Sequence, residues 1–251
     1  MSVSLQTIPF NGPCASMPIM NSTYWQPECG AAWQIEIQNP LTNTANNASI
    51  YDIDLFDNSA LTIKALHKLS RKVICYFSAG TYENWRSDAS SFQKSDYAKA
   101  VGGWPGEFWL NTSSPNVRTI MSKRLDLAAS KGCDGVDPDN IDGYDNDTGL
   151  DLDQDAAVDY LQFLAREAHA RKISIGLKNG GAIVPRVVDI VQWDVNEQCS
   201  QYKECNLFTP FIKAGKPVFH IEYKKTASMC KNAGFSTIYK NLNLGDAAKY
   251  C

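Results

Sequence analysis

Two periods of apolar residues run through the chain from about residue 31. Short bulky or alternating runs give way to stretches spaced as one face of a helix. The runs 32–38, 50–55, 72–79, 134–140, 173–179, 193–198, 217–223 and 235–240 read as eight strands. Val117, Ile120, Met121, Leu125 and Ala128 repeat at helical spacing, as do Val158, Leu161, Leu164, Ala165 and Ala168. A helix is expected after each strand. This order in 251 residues predicts an α/β fold, a single (β/α)8 TIM barrel with long βα loops, although an open doubly wound sheet gives a similar string.

Several strand candidates alternate in polarity. Asp52 and Asp54 alternate with Tyr51, Ile53 and Leu55; Ser174, Gly176 and Lys178 with Ile173, Ile175 and Leu177; His220 and Glu222 with Phe219 and Ile221. In a helix-covered barrel one parity packs under the helices and the other points inward, so the polar parity is expected inside. By the same rule Glu197 shares the outward parity of Trp193 and Val195, unless its strand ends or bulges at Asn196.

The connections 80–116 and 141–152 are long, and loops at strand C-termini build the active site of this fold. Loop 80–116 carries Tyr82, Trp85, Tyr97, Trp104, Phe108 and Trp109. Such faces suit stacking on sugar rings or a small satellite core.

No Pro/Gly/Ser linker divides the chain. Residues 31–251 are expected to form the barrel domain, and residues 1–30 an N-terminal extension packed on it. With 24 Lys plus Arg against 27 Asp plus Glu there is no broad basic face for nucleic acid. Apolar content of 44 % supports a full core, and the longest apolar run, Val73 to Phe77, is too short for a membrane span. A monomer is expected.

The first thirty residues lack the basic start and apolar stretch of a signal peptide, and Asn11 to Cys14 read as mature loop. Eight cysteines and four glycosylation acceptors (Asn21, Asn47, Asn111 and Asn146) favour a disulfide-containing protein in an extracellular setting, secreted or on the cell surface. Cys199 pairs plausibly with Cys205 by proximity. Cys14 with Cys29 and Cys230 with Cys251 would tie down loose ends, while Cys75 and Cys133 are either free or paired.

Of the histidines, His67 and His169 fall on helical stretches, so a Ser-His-Asp enzyme would have to use His220. Nucleophile-elbow, phosphate-loop and dinucleotide motifs are absent. Cys199 and Cys205 are too widely spaced for a zinc knuckle, and Asp151, Asp153 and Asp155 lack the glycine and closing acid of an EF-hand. No metal or cofactor is expected.

Carboxylates remain: Asp134, Asp137, Asp139, Asp142, Asp145, Asp147, Asp151, Asp153 and Asp155 place nine aspartates within 22 residues. One of Asp151, Asp153 and Asp155 can cap the following helix. Asp137 and Asp139 end the fourth strand candidate. Two carboxyl groups flanking a glycosidic oxygen are the minimum equipment for hydrolysing a sugar acetal. Glu197 on the sixth strand supplies the second, with Glu222 in reserve. Strand axes two steps apart lie roughly 9–10 Å from each other, and inward-leaning side chains would close to roughly 5–6 Å. That suits a retaining enzyme.

Tyr76 to Gly80, Glu83 to Arg86, Trp104 to Glu107, Gly135 to Asn140, Gly176 to Asn179, Asn196 to Cys199 and Glu222-Tyr223 together resemble glycoside hydrolase family 114. The resemblance implies a secreted TIM-barrel endo-α-1,4-polygalactosaminidase that cuts α-1,4-linked galactosamine stretches of exopolysaccharide without a cofactor. It places the catalytic carboxylates on Asp139, assigned as nucleophile, and Glu197, assigned as general acid/base. Members often carry Glu where this chain has Asp137.

The implied partner is a cationic galactosamine-containing polysaccharide, which an anionic cleft would attract. Asp54, Asp137 and Asp142 are candidates for amine or hydroxyl contacts, and Lys178 for holding Asp139 ionised. Trp85, Trp104, Asn140, Tyr76, Ser78, Tyr202, Glu222 and Tyr223 complete the substrate-binding candidates. Two alternatives stay open: a non-catalytic carbohydrate-binding or coat protein on the same barrel, and a glycosidase acting on another α-linked polymer.

Overall fold

The computed structural model describes residues 22–225 and 228–251. Its strands, numbered in chain order, form two sheets. The large sheet takes β1 (Trp33–Glu36), β2 (Ile50–Asp54) and β3 (Lys72–Ser78). The loop after β3 folds β4 (Thr81–Glu83), β5 (Tyr97–Ala100) and β6 (Glu107–Leu110) into a separate antiparallel sheet. The large sheet continues through β7 (Gly135–Asp139), β8 (Ser174–Lys178), β9 (Trp193–Glu197), β10 (Val218–Glu222) and β11 (Phe235–Tyr239), all parallel and in chain order. β12 (Lys249–Tyr250) adds an antiparallel edge to β11.

The sheet curls into the expected barrel, but no ladder joins β1 to β11. Single contacts bridge the seam. Trp33 Nε1 donates to Ser236 O at 2.7 Å, and Ile37 N–H to Leu244 O at 3.2 Å. Lys240 Nζ reaches Ile35 O at 2.6 Å and Gln34 Oε1 at 3.0 Å.

Helices cover the outside unevenly. α1 (Ala60–Lys68), α2 (Pro115–Lys131) and α3 (Gln154–Ala170) are full helices capped by Ser59, Ser114 and Asp153. Capping thus explains one member of the aspartate cluster. α4 (Val184–Val187), α5 (Cys199–Tyr202) and α6 (Thr209–Lys213) are about one turn each. The expected helix after every strand is not found: among the described residues none follows β1, β10 or β11. The 37–49 connection is rich in Asn and Thr, whose side chains compete for backbone hydrogen bonds and favour turns.

Two apolar cores result. Tyr51, Ile53, Val73, Phe77, Val136, Ile175 and Leu177 pack beneath the helices. Trp33, Ile35, Ile50, Ile74, Trp193, Val195, Phe219 and Ile221 fill the barrel interior. The polarity rule therefore holds for β2 and β8 and fails for β9 and β10. Trp193 and Val195 point inward because Gly135 and Gly176 leave the space; a Cβ there would lie 2.4 Å and 2.1 Å from the indole. Glu197 consequently faces inward with no bulge. Phe219 and Ile221 take the interior of β10, so His220 and Glu222 point outward, contrary to expectation. His220 bonds Thr237 Oγ1 at 3.0 Å and Glu222 Oε1 at 2.9 Å, leaving it no part in a triad.

Disulfides join Cys199 to Cys205 and Cys230 to Cys251 as expected, and Cys75 is bonded to Cys133. Cys29 is also disulfide-bonded; its expected partner Cys14, like most of the N-terminal extension, lies outside the described residues. At the N-terminal end of the barrel, Trp25 packs on Trp193 with ring centroids 5.7 Å apart, and Tyr24 stacks on His169 at 4.0 Å.

Candidate active site

Three adjacent strands end in the same way. Asp139, Lys178 and Glu197 are the last residues of β7, β8 and β9, and Asn140, Asn179 and Gln198 follow with φ of 61°, 54° and 65°. A left-handed residue turns the chain sharply, and Asn tolerates that conformation better than most. Each strand thus delivers its last side chain to the barrel mouth just before the backbone turns away.

Lys178 sits between the two carboxylates. Its Nζ lies 3.2 Å from Asp139 Oδ1 and 2.5 Å from Glu197 Oε2. Those two carboxylate oxygens are therefore no more than about 5.7 Å apart. Tyr76 donates to Asp139 Oδ2 at 2.8 Å, Asn140 N–H to Asp139 Oδ1 at 2.8 Å, and Tyr223 to Glu197 Oε1. Asn179 clamps Glu197 from both sides, donating from Nδ2 to Oε2 at 3.2 Å and accepting the Glu197 N–H at 2.9 Å.

Burial pushes Glu197 upward, but the Lys178 ammonium and hydrogen bonds from Lys178, Tyr223 and Asn179 outweigh it and hold the carboxyl below its usual range. Burial alone would lower Lys178; Asp139, Glu197 and Asp137 raise it well above an ordinary lysine instead. The ammonium and its two carboxylates form a tightly held charged cluster.

The cluster opens into a cleft of about 940 Å³. Its walls carry Asp54, Asp57, Glu83, Glu107, Asp139, Asp142 and Glu197 against only Arg86 and Lys178. Burial raises Glu107 to about 7, helped by nearby Glu83 and Asp139 although Thr81 opposes it. Burial and then Asp139 raise Asp142 to about 6. On the rim Trp85 and Trp104 stand 53 % and 61 % exposed. Trp109 also lines the cleft, whereas Tyr82, Tyr97 and Phe108 build a satellite core: Tyr82 stacks on Tyr97 at 4.5 Å and meets Phe92 at 5.4 Å.

The structure therefore gathers Asp139, Glu197, Lys178, Tyr76, Tyr223, Asn140, Asp142, Trp85 and Trp104 around one space. Five other candidates play different parts. Glu222 is fully buried on the outer face of β10, where it accepts the Ser200 N–H at 2.8 Å. Tyr202 is exposed on α5 and does not line the cleft. Buried Ser78 accepts Asn140 Nδ2 at 3.0 Å and so positions a loop rather than a sugar. Asp54 borders the cleft but is held by Arg86 at 2.7 Å and 3.0 Å and by the Phe56 and Asp57 N–H groups. Asp137 is fully buried beneath the cluster, out of reach of substrate.

Glu107, Asn179 and Arg86 join the site although sequence reasoning gave them no role. The family motifs contain all three. Without the fold, no spacing rule connects Glu107 to residues on other strands.

A parallel α/β barrel with an acidic cleft over its strand C-termini, holding a close carboxylate pair, is the arrangement of a glycoside hydrolase. The model of glycoside-hydrolase family GH114 matches residues 15–251, and the chain belongs to that family. The crystal structure of Aspergillus fumigatus Ega3 in complex with galactosamine is similar, with TM-score 0.88 and 53 % identity over 92 % of this chain and 100 % of that one. The glycoside hydrolase domain of PelA from Pseudomonas aeruginosa shares the fold at TM-score 0.70 and 12 % identity, over 86 % of this chain and 98 % of that one. An uncharacterized protein of Deinococcus radiodurans is 28 % identical over 187 residues, which cover 65 % of this chain and 59 % of that protein's length.

Proposed function

We propose that this glycoside hydrolase is a secreted endo-α-1,4-polygalactosaminidase that cleaves galactosamine stretches of exopolysaccharide with retention of configuration. The observation that carries the mechanism is the shared ammonium of Lys178, which keeps the nearest oxygens of Asp139 and Glu197 within about 5.7 Å. Retaining glycosidases hold their carboxyl groups ~5–5.5 Å apart and inverting ones ~6.5–9.5 Å. For the substrate, the support is the acidic cleft together with 53 % identity to Ega3, whose structure holds galactosamine. The disulfides support an extracellular location.

Asp139 acts as nucleophile, oriented by the Tyr76 hydroxyl and paired with the Lys178 ammonium. Glu197 acts as acid, then as base. Lys178 favours the ionised form of Glu197, the state required for the second half of the reaction. For the first half Glu197 needs a proton. Burial is the largest influence on it and Lys178 the largest opposing one, so movement of the ammonium toward Asp139 lets burial raise Glu197 into its acid form.

Asp139→Asn and Glu197→Gln are each expected to lower release of reducing ends from deacetylated galactosamine polymer by about a thousandfold or more, with thermal melting essentially unchanged. Near wild-type cleavage by either folded variant would remove that residue from the mechanism.

A further inference from the structure

Asp52 and Asp137 occupy the barrel interior below the catalytic cluster. Both are 0 % exposed, and no N–H or O–H donor of the protein reaches any of their four carboxyl oxygens. Asp137 is the largest charged influence on Asp52. An ionised carboxylate buried with no donor stays unsatisfied, so two such neighbouring groups favour holding at least one proton between them.

Charged and titratable groups surround Asp137 on every side strand. Asp52 comes from β2, Tyr76 from its register position on β3, Lys178 from β8, and Asp194 and Glu197 from β9, while Asp139 lies two residues along β7 itself. Lys178 is the one cation among them. It can be drawn upward to Asp139 and Glu197 or downward to Asp137.

We propose that Asp52 and Asp137 form a proton-holding pair that positions Lys178. With Asp137 neutral the ammonium is committed to the two catalytic carboxylates. When Asp137 releases its proton to solvent, a third carboxylate competes for the same ammonium, and Asp139 and Glu197 lose their shared counter-ion. Burial supports this, raising Asp52 well above the ordinary carboxyl value and Asp137 to about 8. Asp137 is thus a positioning residue acting through Lys178, and this role rests on the reading of Asp139 and Glu197 as the catalytic pair.

Two measurements test the proposal. The pH profile of kcat, taken at saturating polymer for wild type and Asp137→Asn, compares the alkaline limbs on one substrate, so titration of the polymer amines cancels. The limb of the variant is expected to move up by about one pH unit or more, because asparagine stays neutral. Superimposable limbs would overturn the positioning role, whatever the variant does to melting temperature. Infrared spectroscopy of the wild-type protein needs neither a variant nor a substrate. A protonated-carboxyl C=O band at neutral pH that weakens through pH ~8 is expected, and its absence at neutral pH would overturn the pair. A wild-type protein that leaves galactosamine polymer intact yet shows the band would refute the functional reading and keep the pair.

Discussion

Lys178 is the main counterweight to burial at Glu197. It is buried to 4 % exposure and meets both proposed catalytic carboxylates, so its replacement acts on both. In Lys178→Met, burial acts on Glu197 unopposed and raises its pKa. The alkaline limb of kcat/KM, set by the proton that Glu197 must donate, is expected to move to higher pH, with the maximum falling by about a hundredfold or more. An alkaline limb left in place would show that Lys178 does not control Glu197. Asp137 carries a stability prediction with the opposite sign to a salt-bridged aspartate. Its folded pKa of about 8 exceeds the ~3.9 of an unfolded chain. The folded state keeps a proton that the unfolded state has released, so stability declines as pH rises from ~4 to ~8. Asp137→Asn should flatten melting temperature against pH across that window; an unchanged slope would count against a neutral buried Asp137.

At the level of elements, the eight barrel strands were legible in the sequence because each short apolar run is bounded by turn residues. What failed was the rule that polar residues mark the interior. β9 and β10 put Trp193, Val195, Phe219 and Ile221 inside because the lower layers of this barrel are an apolar core, and only the mouth is polar. The cue lay elsewhere in the sequence, in Gly135 and Gly176, whose missing side chains make room for the indole of Trp193. Pairing of β8 with β9 at Gly176 and Trp193 was needed to see it. Gly176→Ala would bring a methyl group against the indole, and the expected cost is about 1–3 kcal/mol in denaturant unfolding. A wild-type midpoint would mean that Trp193 is less tightly seated than the packing indicates. The candidate site residues at the strand ends were legible for a different reason: strand ends in a barrel face the active site, and Asn140 and Asn179 suit the left-handed turns that follow Asp139 and Lys178. Glu222 was misread because its neighbours in sequence gave no sign that Phe219 and Ile221 would claim the interior.

For the whole molecule, the charge of the cleft matters more than the near-neutral total of −3. Seven acidic side chains and two basic ones on the cleft walls create a negative field that favours a polyamine sugar. Salt screens such a field over a Debye length of ~10 Å at 0.1 M and ~3 Å at 1 M. KM for deacetylated galactosamine polymer should therefore rise several-fold across that range, while KM for N-acetylated oligomers stays nearly constant; equal salt dependence for both would refute charge recognition. The central claim is that Asp139 and Glu197 flank one glycosidic bond closely enough for double displacement. Its most direct test is proton NMR of the reducing ends formed in the first minutes of cleavage of an α-1,4-linked galactosamine oligomer. The account predicts the α-anomer first, with the β-anomer growing in only by mutarotation; initial release of the β-anomer would contradict it.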